Sequence, residues 1–450
     1  MIAAPEVLSG WGNYPTEPCY VVRSHSCCEL KASLSSPEGG SCIPRGLGRA
    51  YGDSALNRDQ RVVLQTGFSR MIAFDEQAGI LECEAGVSFA EIIDVFLPRG
   101  WFLPVTPGTK FVTVGGAIAA DVHGKNHHQV GSLGRFIHNL QMLLADGSEV
   151  ACSPSERPEL FWATIGGMGL TGFIRSARMQ LARVSTAYVR VDYRRTKDLD
   201  GTLRTFNEED HKHQYSVAWI DCLARGAGLG RSVVMLADDA QIDDLKPRLR
   251  EAPLELPGKL PLAVPFNLPR LAIAPFNMRL FNKLYYAVHG DCVKTADFNT
   301  FFYPLDRIAK WNRVYGRRGF VQYQAWFPRA TSQRGLVELL GRIAASQRGS
   351  FLAVLKSCGQ RDEAVLSYLE PGHTLALDFA YTNGLANLFA DLDRILLAHG
   401  GRLYLAKDSM TTAATFQAMY PRLDEFRAIK RSVDPEGRFS SSQARRLGIV

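Results

Sequence analysis

One stretch limits what this chain can become: Pro107-Gly-Thr-Lys-Phe-Val-Thr-Val-Gly-Gly-Ala-Ile-Ala-Ala-Asp-Val-His-Gly-Lys-Asn-His-His128. Its glycines and small residues let backbone approach a ligand without Cβ interference. Directly behind them stand an acid (Asp121), three histidines (His123, His127, His128), Lys125 and Asn126. A smooth backbone cradle joined to donors and proton carriers suits a phosphate-bearing cofactor whose reactive ring lies beside polar chemistry. A second glycine-rich loop, Arg45-Gly-Leu-Gly-Arg-Ala-Tyr-Gly-Asp53, has the form in which successive N–H groups make an anion-binding nest. Alone it reads as a turn. Paired with the first, it can grip the opposite side of a pyrophosphate.

A chain of 450 residues predicts two domains, or one divided domain with a large insert. The net charge of +7 is dispersed, with no run of five like charges, so no nucleic-acid partner is expected. Nine cysteines without CxxC spacing point to free thiols in a reducing compartment. The N-terminal residues lack the basic region and apolar core of a signal peptide, and no window holds 18 uninterrupted apolar residues. The expectation is a cytoplasmic protein, at most peripheral at a membrane.

Short strands are expected across 61–84, followed by a helix capped by Ser88 with Phe89, Ile92, Ile93 and Phe96 on one face. Residues 139–153 read as strand, Asp146-Gly147 turn, strand. An amphipathic helix spans 385–399, a strand 402–406, and a further helix starts near Thr411. This is an α+β pattern, not regular βαβ alternation. Between Pro253 and Pro275 six prolines among apolar residues disfavour both helix and central strand. That stretch, with Lys259, Arg270, Arg279 and Lys283 in or near it, reads as a loop wrapped on the core, or as a lid or membrane-surface contact.

Gly167-Met-Gly-Leu-Thr-Gly172 matches GxGxxG, yet a helix runs into it and a strand leaves it, the reverse of a Rossmann fingerprint. A tight turn where backbone meets a cofactor is the better reading. His123 and His127 are four apart, but the intervening Gly124 and Asn126 oppose the helix that would align them. Hydrogen bonding rather than a metal site is expected. Lys407, after the 402–406 strand, is either a surface lysine paired with Asp408 or a cation turned into a site.

Taken together, Leu8-Ser-Gly-Trp-Gly12, Arg45–Asn57, Pro107–His128, Asp146-Gly147, Glu159–Ile174, Trp311-Asn-Arg-Val-Tyr-Gly316, Gln322-Tyr-Gln324, Gly400–Thr412 and Ala418-Met-Tyr-Pro-Arg422 resemble the FAD-linked oxidases of the vanillyl-alcohol-oxidase type. The likeness runs nearly end to end and is tightest to the branch acting on a lipid-linked ribose. It implies a split FAD-binding domain, residues 1–185 plus 402–450. The insert, 186–401, would be a substrate domain with an antiparallel sheet flanked by helices. Carried over by position, the FAD contacts are Arg49, Tyr51, Gly52, Gly108, Thr109, Thr113, Gly115, Gly116, Ala117, Asp121, His123, Gly124, Asn126, Ile174 and Tyr404. Arg49 stands where covalent relatives place a flavin-linked histidine, which implies non-covalent FAD.

The resemblance also implies a reaction: oxidation of a sugar's secondary hydroxyl to a ketone, with Lys407, His123 and Tyr51 as base or relay candidates. The substrate it implies is the 2′-OH of a polyprenylphosphoryl-β-D-ribose, in the first half of an epimerisation toward the arabinose epimer of cell-wall arabinan. A short-chain reductase partner would complete it. Gln324, Lys356 and Lys407 match substrate-pocket positions. The chain departs from the family at Ala376, where a pocket cysteine is usual, and at Phe302, where a tyrosine is, which puts substrate shape in question. A soluble sugar, nucleoside or aldonolactone is the alternative substrate, and a non-catalytic flavin-binding scaffold the remote one.

Overall fold

A computed structural model describes residues 4–24, 26–35, 40–258, 262–350 and 352–450. The first part of the chain builds two main sheets. One has four strands in the order Glu6–Ser9, Thr16–Arg23, Arg61–Leu64, Cys42–Arg45, the last three mutually parallel. The other is antiparallel, in the order Met71–Asp75, Ile80–Glu84, Phe173–Gln180, Ile137–Leu143, Glu149–Cys152. The helix Phe89–Phe96 starts at Ser88 as expected. The Ser88 hydroxyl accepts from Glu91 N–H while the Glu91 carboxylate accepts from Ser88 N–H, and Phe89, Ile92, Ile93 and Phe96 are buried.

Eight antiparallel strands make the largest sheet, in the order Cys292–Asp297, Tyr188–Thr196, Ser232–Asp239, Tyr215–Ile220, Ala353–Cys358, Gly372–Ala380, Phe320–Pro328, Arg402–Leu403. Strand Phe320–Pro328 is buried along nearly its whole length because both its faces are covered. Tyr323 turns to the helix Leu385–Ala398, its ring 5.0 Å from Phe389 and its hydroxyl donating to Asp393 at 2.9 Å. Gln322 and Gln324, one step either side, turn the other way and line a cavity. The C-terminal residues then return to the first part. Ser440 N–H donates to the Cys42 carbonyl at 2.9 Å, and Arg445 donates to Asn57 at 2.6 Å.

Three expectations change. The strand predicted over 402–406 stops at Leu403, because the chain turns back and the amides of Lys407 and Asp408 both donate to the Tyr404 carbonyl. Within the proline-rich stretch, Leu262–Ala263 pairs in parallel with Ile308–Ala309, and a single 3-10 turn covers Arg270–Ile273; Lys259 lies outside the described residues. Immediately after it stands a helix that the sequence reading does not foresee, Pro275–Val288. Its proline occupies the first turn, where a missing N–H costs nothing.

Candidate active site

A cavity of about 700 Å³ opens between the two glycine-rich loops and one face of the eight-stranded sheet, a size usual for cofactor and ligand sites. The loops meet where Gly46 faces Thr113: a Cβ on Gly46 would lie 2.1 Å from Thr113 Oγ1. Thr113 in turn caps the helix Val114–Ala119 by accepting from Gly116 N–H at 3.2 Å. Gly115 has no room for a side chain either, since its Cβ would press on the Gln65 amide. Gly108 is different. A Cβ there would meet nothing within 4 Å, because the backbone borders open cavity. Among the described residues, the N–H groups of Gly48, Arg49, Ala50, Gly108 and Thr109 have no protein acceptor, which leaves donors on both loops for an anion.

Of the residues singled out from the sequence, Arg49, Tyr51, Gly108, Thr109, Thr113, Gly115, Gly116, Ala117, His123, Gly124, Ile174, Tyr404, Gln324, Lys356, Lys407, Ala376 and Phe302 line this one cavity. Gly52, Asp121 and Asn126 do not. A Cβ on Gly52 would sit 2.1 Å from the Asp408 carbonyl, so that glycine permits loop packing. Asp121 accepts from Gly134 N–H at 3.0 Å, and Asn126 donates to the Pro104 carbonyl at 2.8 Å; both brace the cradle from behind. The GxGxxG turn places Met168, Gly169 and Gly172 on the lining.

The three histidines separate in role. His128 Nε2 bonds the carbonyls of Asp210 and His213, and His127 Nδ1 accepts from Gly359 N–H while Nε2 faces Asp362 at 3.4 Å. Only His123 reaches the cavity. Gln324 Nε2 donates to His123 Nε2 at 3.0 Å, which leaves the imidazole proton on Nδ1, a buried atom with no protein partner. Burial, reinforced by Lys356, His127 and Lys407, holds this imidazole well below its ordinary pKa, hence neutral.

Lysines dominate the electrostatics. Burial brings Lys407 down to about 7, with Asp378 opposing the shift and Lys356 adding to it. Lys356 falls to about 8 by burial. Lys125 falls to about 7 by burial and the nearby Lys356. Lys407 Nζ lies 3.7 Å from the centroid of the Tyr51 ring. Burial and then the Asp378 carboxylate push the Tyr51 phenol well up, so it stays protonated. Asp378 is itself raised to about 7 by burial, against the hydrogen bond from Gln322 at 2.5 Å. Arg49 is clasped between rings, 4.1 Å from Trp11 and 5.2 Å from Phe111. Burial thus favours the neutral amine in all three lysines, and an anion bound beside them would favour the ammonium form.

One residue ties this machinery together. Arg446 donates to both oxygens of Asp53 at 2.9 and 2.7 Å, to Asp408 at 2.8 Å and to the Thr411 carbonyl at 2.7 Å. The first glycine loop is thereby bound to the turn that carries Lys407, which also receives Tyr51 N–H at the Ala406 carbonyl. Sequence reasoning gave no individual site role to Arg446, Lys125, Gln322 or Asp378, although Lys125 and Gln322 stood inside motifs it had singled out. Two of these had a readable signal: Gln322 shares a strand face with Gln324, and Lys125 sits inside the cradle motif.

Comparison with known proteins accounts for the arrangement. Residues 18–153 match the FAD binding domain family, and residues 328–447 match the D-arabinono-1,4-lactone oxidase family. Over 449 residues, 98% of this chain and 97% of the other, the protein is 38% identical to decaprenylphosphoryl-β-D-ribose oxidase of Mycolicibacterium smegmatis. The chain belongs to that family, FAD-linked oxidases of the vanillyl-alcohol-oxidase type. The oxidase is also 25% identical to an alditol oxidase of Streptomyces sp. over 83% of its own length and 82% of the relative's. With the Delta(24)-sterol reductase of Rattus norvegicus it shares 28% identity over only 32% of the chain and 27% of that protein. The cavity fits the cofactor this family uses: unbonded loop amides for a pyrophosphate, a Cβ-free wall at Gly108, and lysines whose ammonium form an anion would favour.

Proposed function

We propose that this oxidase converts the 2′-hydroxyl of a polyprenylphosphoryl-β-D-ribose to the ketone with non-covalently held FAD, and that a short-chain reductase finishes the epimerisation. In this reading residues 1–185 and 402–450 hold the cofactor and 186–401 the sugar. The observation that carries it is a single cavity lined both by the buried lysines Lys125, Lys356 and Lys407 and by the aromatic side chains of Trp219, Phe281, Tyr285 and His289. Lys125 and Lys356, protonated beside an anion, suit the phosphates of cofactor and substrate, and the aromatic side chains suit an apolar chain leaving the sugar.

When bound, FAD supplies the hydride acceptor. The amides of Gly48–Ala50, Gly108 and Thr109 would hold its pyrophosphate, and Arg49 stands where the resemblance puts a covalent attachment in other members. Lys407 takes the hydroxyl proton at Nζ, because of the three candidates it alone offers a lone pair near pH 7. Tyr51 stays a phenol. His123 carries its proton on Nδ1 and has Nε2 engaged by Gln324, so it serves as a hydrogen-bond donor to substrate or cofactor oxygen. Lys356 and Gln324 orient the sugar. Anaerobic addition of the lipid-linked ribose to the purified yellow protein should bleach the flavin band. Failure to bleach with it, alongside bleaching by soluble aldonolactones or alditols, would overturn the substrate. That second reading draws on the match of residues 328–447 to a lactone oxidase family.

A further inference from the structure

The helix Pro275–Val288 is anchored on one side only. Met278 and Asn282 are buried, Asn282 Nδ2 donates to Asp221 at 2.8 Å, Tyr286 donates to the Thr196 carbonyl at 3.0 Å, and Tyr285 packs on Trp219 with centroids 4.4 Å apart. Its opposite face is a stripe spaced four residues apart, Phe276, Leu280, Leu284 and Val288, exposed by 73, 46, 56 and 71%. The chain leading into it adds Leu262, Phe266 and Leu271, all exposed. A contiguous apolar surface of this kind on a folded protein marks an interaction site. Arg279 and Lys283 are exposed on the same helix, and no acidic residue occurs between Glu255 and Asp291. Apolar side chains to insert and basic ones to meet phosphate are the two halves of an interfacial helix.

The position of the stripe says what it is for. Phe281 and Tyr285 of this helix and His289 just after it line the cavity, and Phe281 is also half exposed. The mouth of the site therefore opens at the edge of the apolar face. We propose that the Pro275–Val288 helix lies in the surface of an anionic bilayer, so that an apolar chain anchored in the lipid passes beside Phe281 and Tyr285 into the cavity. The docking element is this helix, with the proline-rich approach to it as a flank. The inference rests on the lipid-linked reading of the site for its purpose, while its test does not.

The holoenzyme is floated with phosphatidylcholine–phosphatidylglycerol vesicles and with phosphatidylcholine vesicles alone. Wild type is expected to rise with the anionic vesicles, less so at high salt. The triple variant Leu280→Ser, Leu284→Ser, Val288→Ser should lose about tenfold or more of that partitioning while keeping its FAD and its melting temperature. The charge reversal Arg279→Glu with Lys283→Glu should lose binding to anionic vesicles only. Wild type that stays at the bottom in both, or a triple variant that floats equally well, overturns the proposal. So does a wild-type dimer in sedimentation that the triple variant converts to a monomer, since the face then belongs to a second copy. Protein that floats but is not bleached by the lipid-linked sugar upholds the docking and overturns the substrate.

Discussion

Replacing Arg446 by methionine tests whether the cofactor loop and the lysine turn are one mechanical unit. The guanidinium is shared by Asp53 and Asp408, whose side chains are 5% and 4% exposed. Removing the cation from a buried pair costs about 3–5 kcal/mol, because a desolvated carboxylate is left uncompensated. Asp408 keeps the amides of Met410 and Thr411 at 3.1 and 2.9 Å, so the lower end, about 3 kcal/mol, is expected. At about 2.1 cal/mol/K per residue the unfolding entropy of a chain this long is roughly 0.9 kcal/mol/K. The melting temperature should therefore fall by about 3 °C if the chain unfolds as one unit. Because the released loops must be ordered again around the cofactor, FAD should bind about tenfold more weakly. Scanning calorimetry of the holoenzyme and fluorescence of released flavin read the two effects. Adding Asp53→Asn to the variant should restore more than half of the lost stability, since a neutral amide no longer buries a charge. Unchanged melting and unchanged FAD affinity in the single variant would refute the clamp.

Four further outcomes are expected. Lys407→Met should slow anaerobic flavin reduction by about 100-fold or more while FAD stays bound; a wild-type rate in stopped flow removes Lys407 from proton transfer. A base acts only when deprotonated, so with Lys407 near 7 kcat/KM should rise with pH through that value and be lost below it, and a profile that falls across the same range would make the lysine a charge stabiliser instead. Gly46→Ala drives a Cβ into Thr113 Oγ1, and the purified variant should be colourless; a normal flavin spectrum shows that the loops have slack. No cysteine lines the cavity among the described residues, so wild type should resist active-site thiol reagents. Ala376→Cys should be alkylated and inactivated, and intact-mass analysis showing a wild-type adduct on the strand Gly372–Ala380 would contradict this.

What could be read in the sequence was whatever local chemistry dictates. Ser88 before an apolar helical face declares a helix start by itself, and the glycine at 108 declares a wall without a Cβ atom. The paired loops were legible because neither makes sense as a mere turn beside that much small-residue backbone. The helix Pro275–Val288 was hidden for the opposite reason. Its face is apolar without a core to meet, and five prolines before it suppress any helical signal until Pro275 takes the first turn. Asp121 and Asn126 sat in the right motif yet face away from the cavity, because a glycine-rich segment turns too sharply for linear spacing to say which side a residue takes. Asp378 and Arg446 depend on strand register and on chain ends meeting across hundreds of residues, which no local pattern encodes.

The same contrast explains how one site serves two demands. A hydride-transfer site must exclude water and hold charge in a fixed geometry, and a lipid-bearing substrate must enter from an apolar phase. The eight-stranded sheet separates these by alternation. On strand Phe320–Pro328, Gln322 and Gln324 face the cavity while Tyr323 anchors the covering helices, so rigidity is supplied from behind the chemistry. Further along the same sheet, Trp219 packs on Tyr285 of the one-sided helix and Tyr193 meets His289 just after it, where few buried contacts leave freedom to move. Polar, rigid and lined by lysine at the C-terminal turn, the cavity becomes aromatic and yielding at Phe281. That gradient follows the substrate the site is proposed to take: a charged sugar phosphate at one end, a hydrocarbon chain at the other.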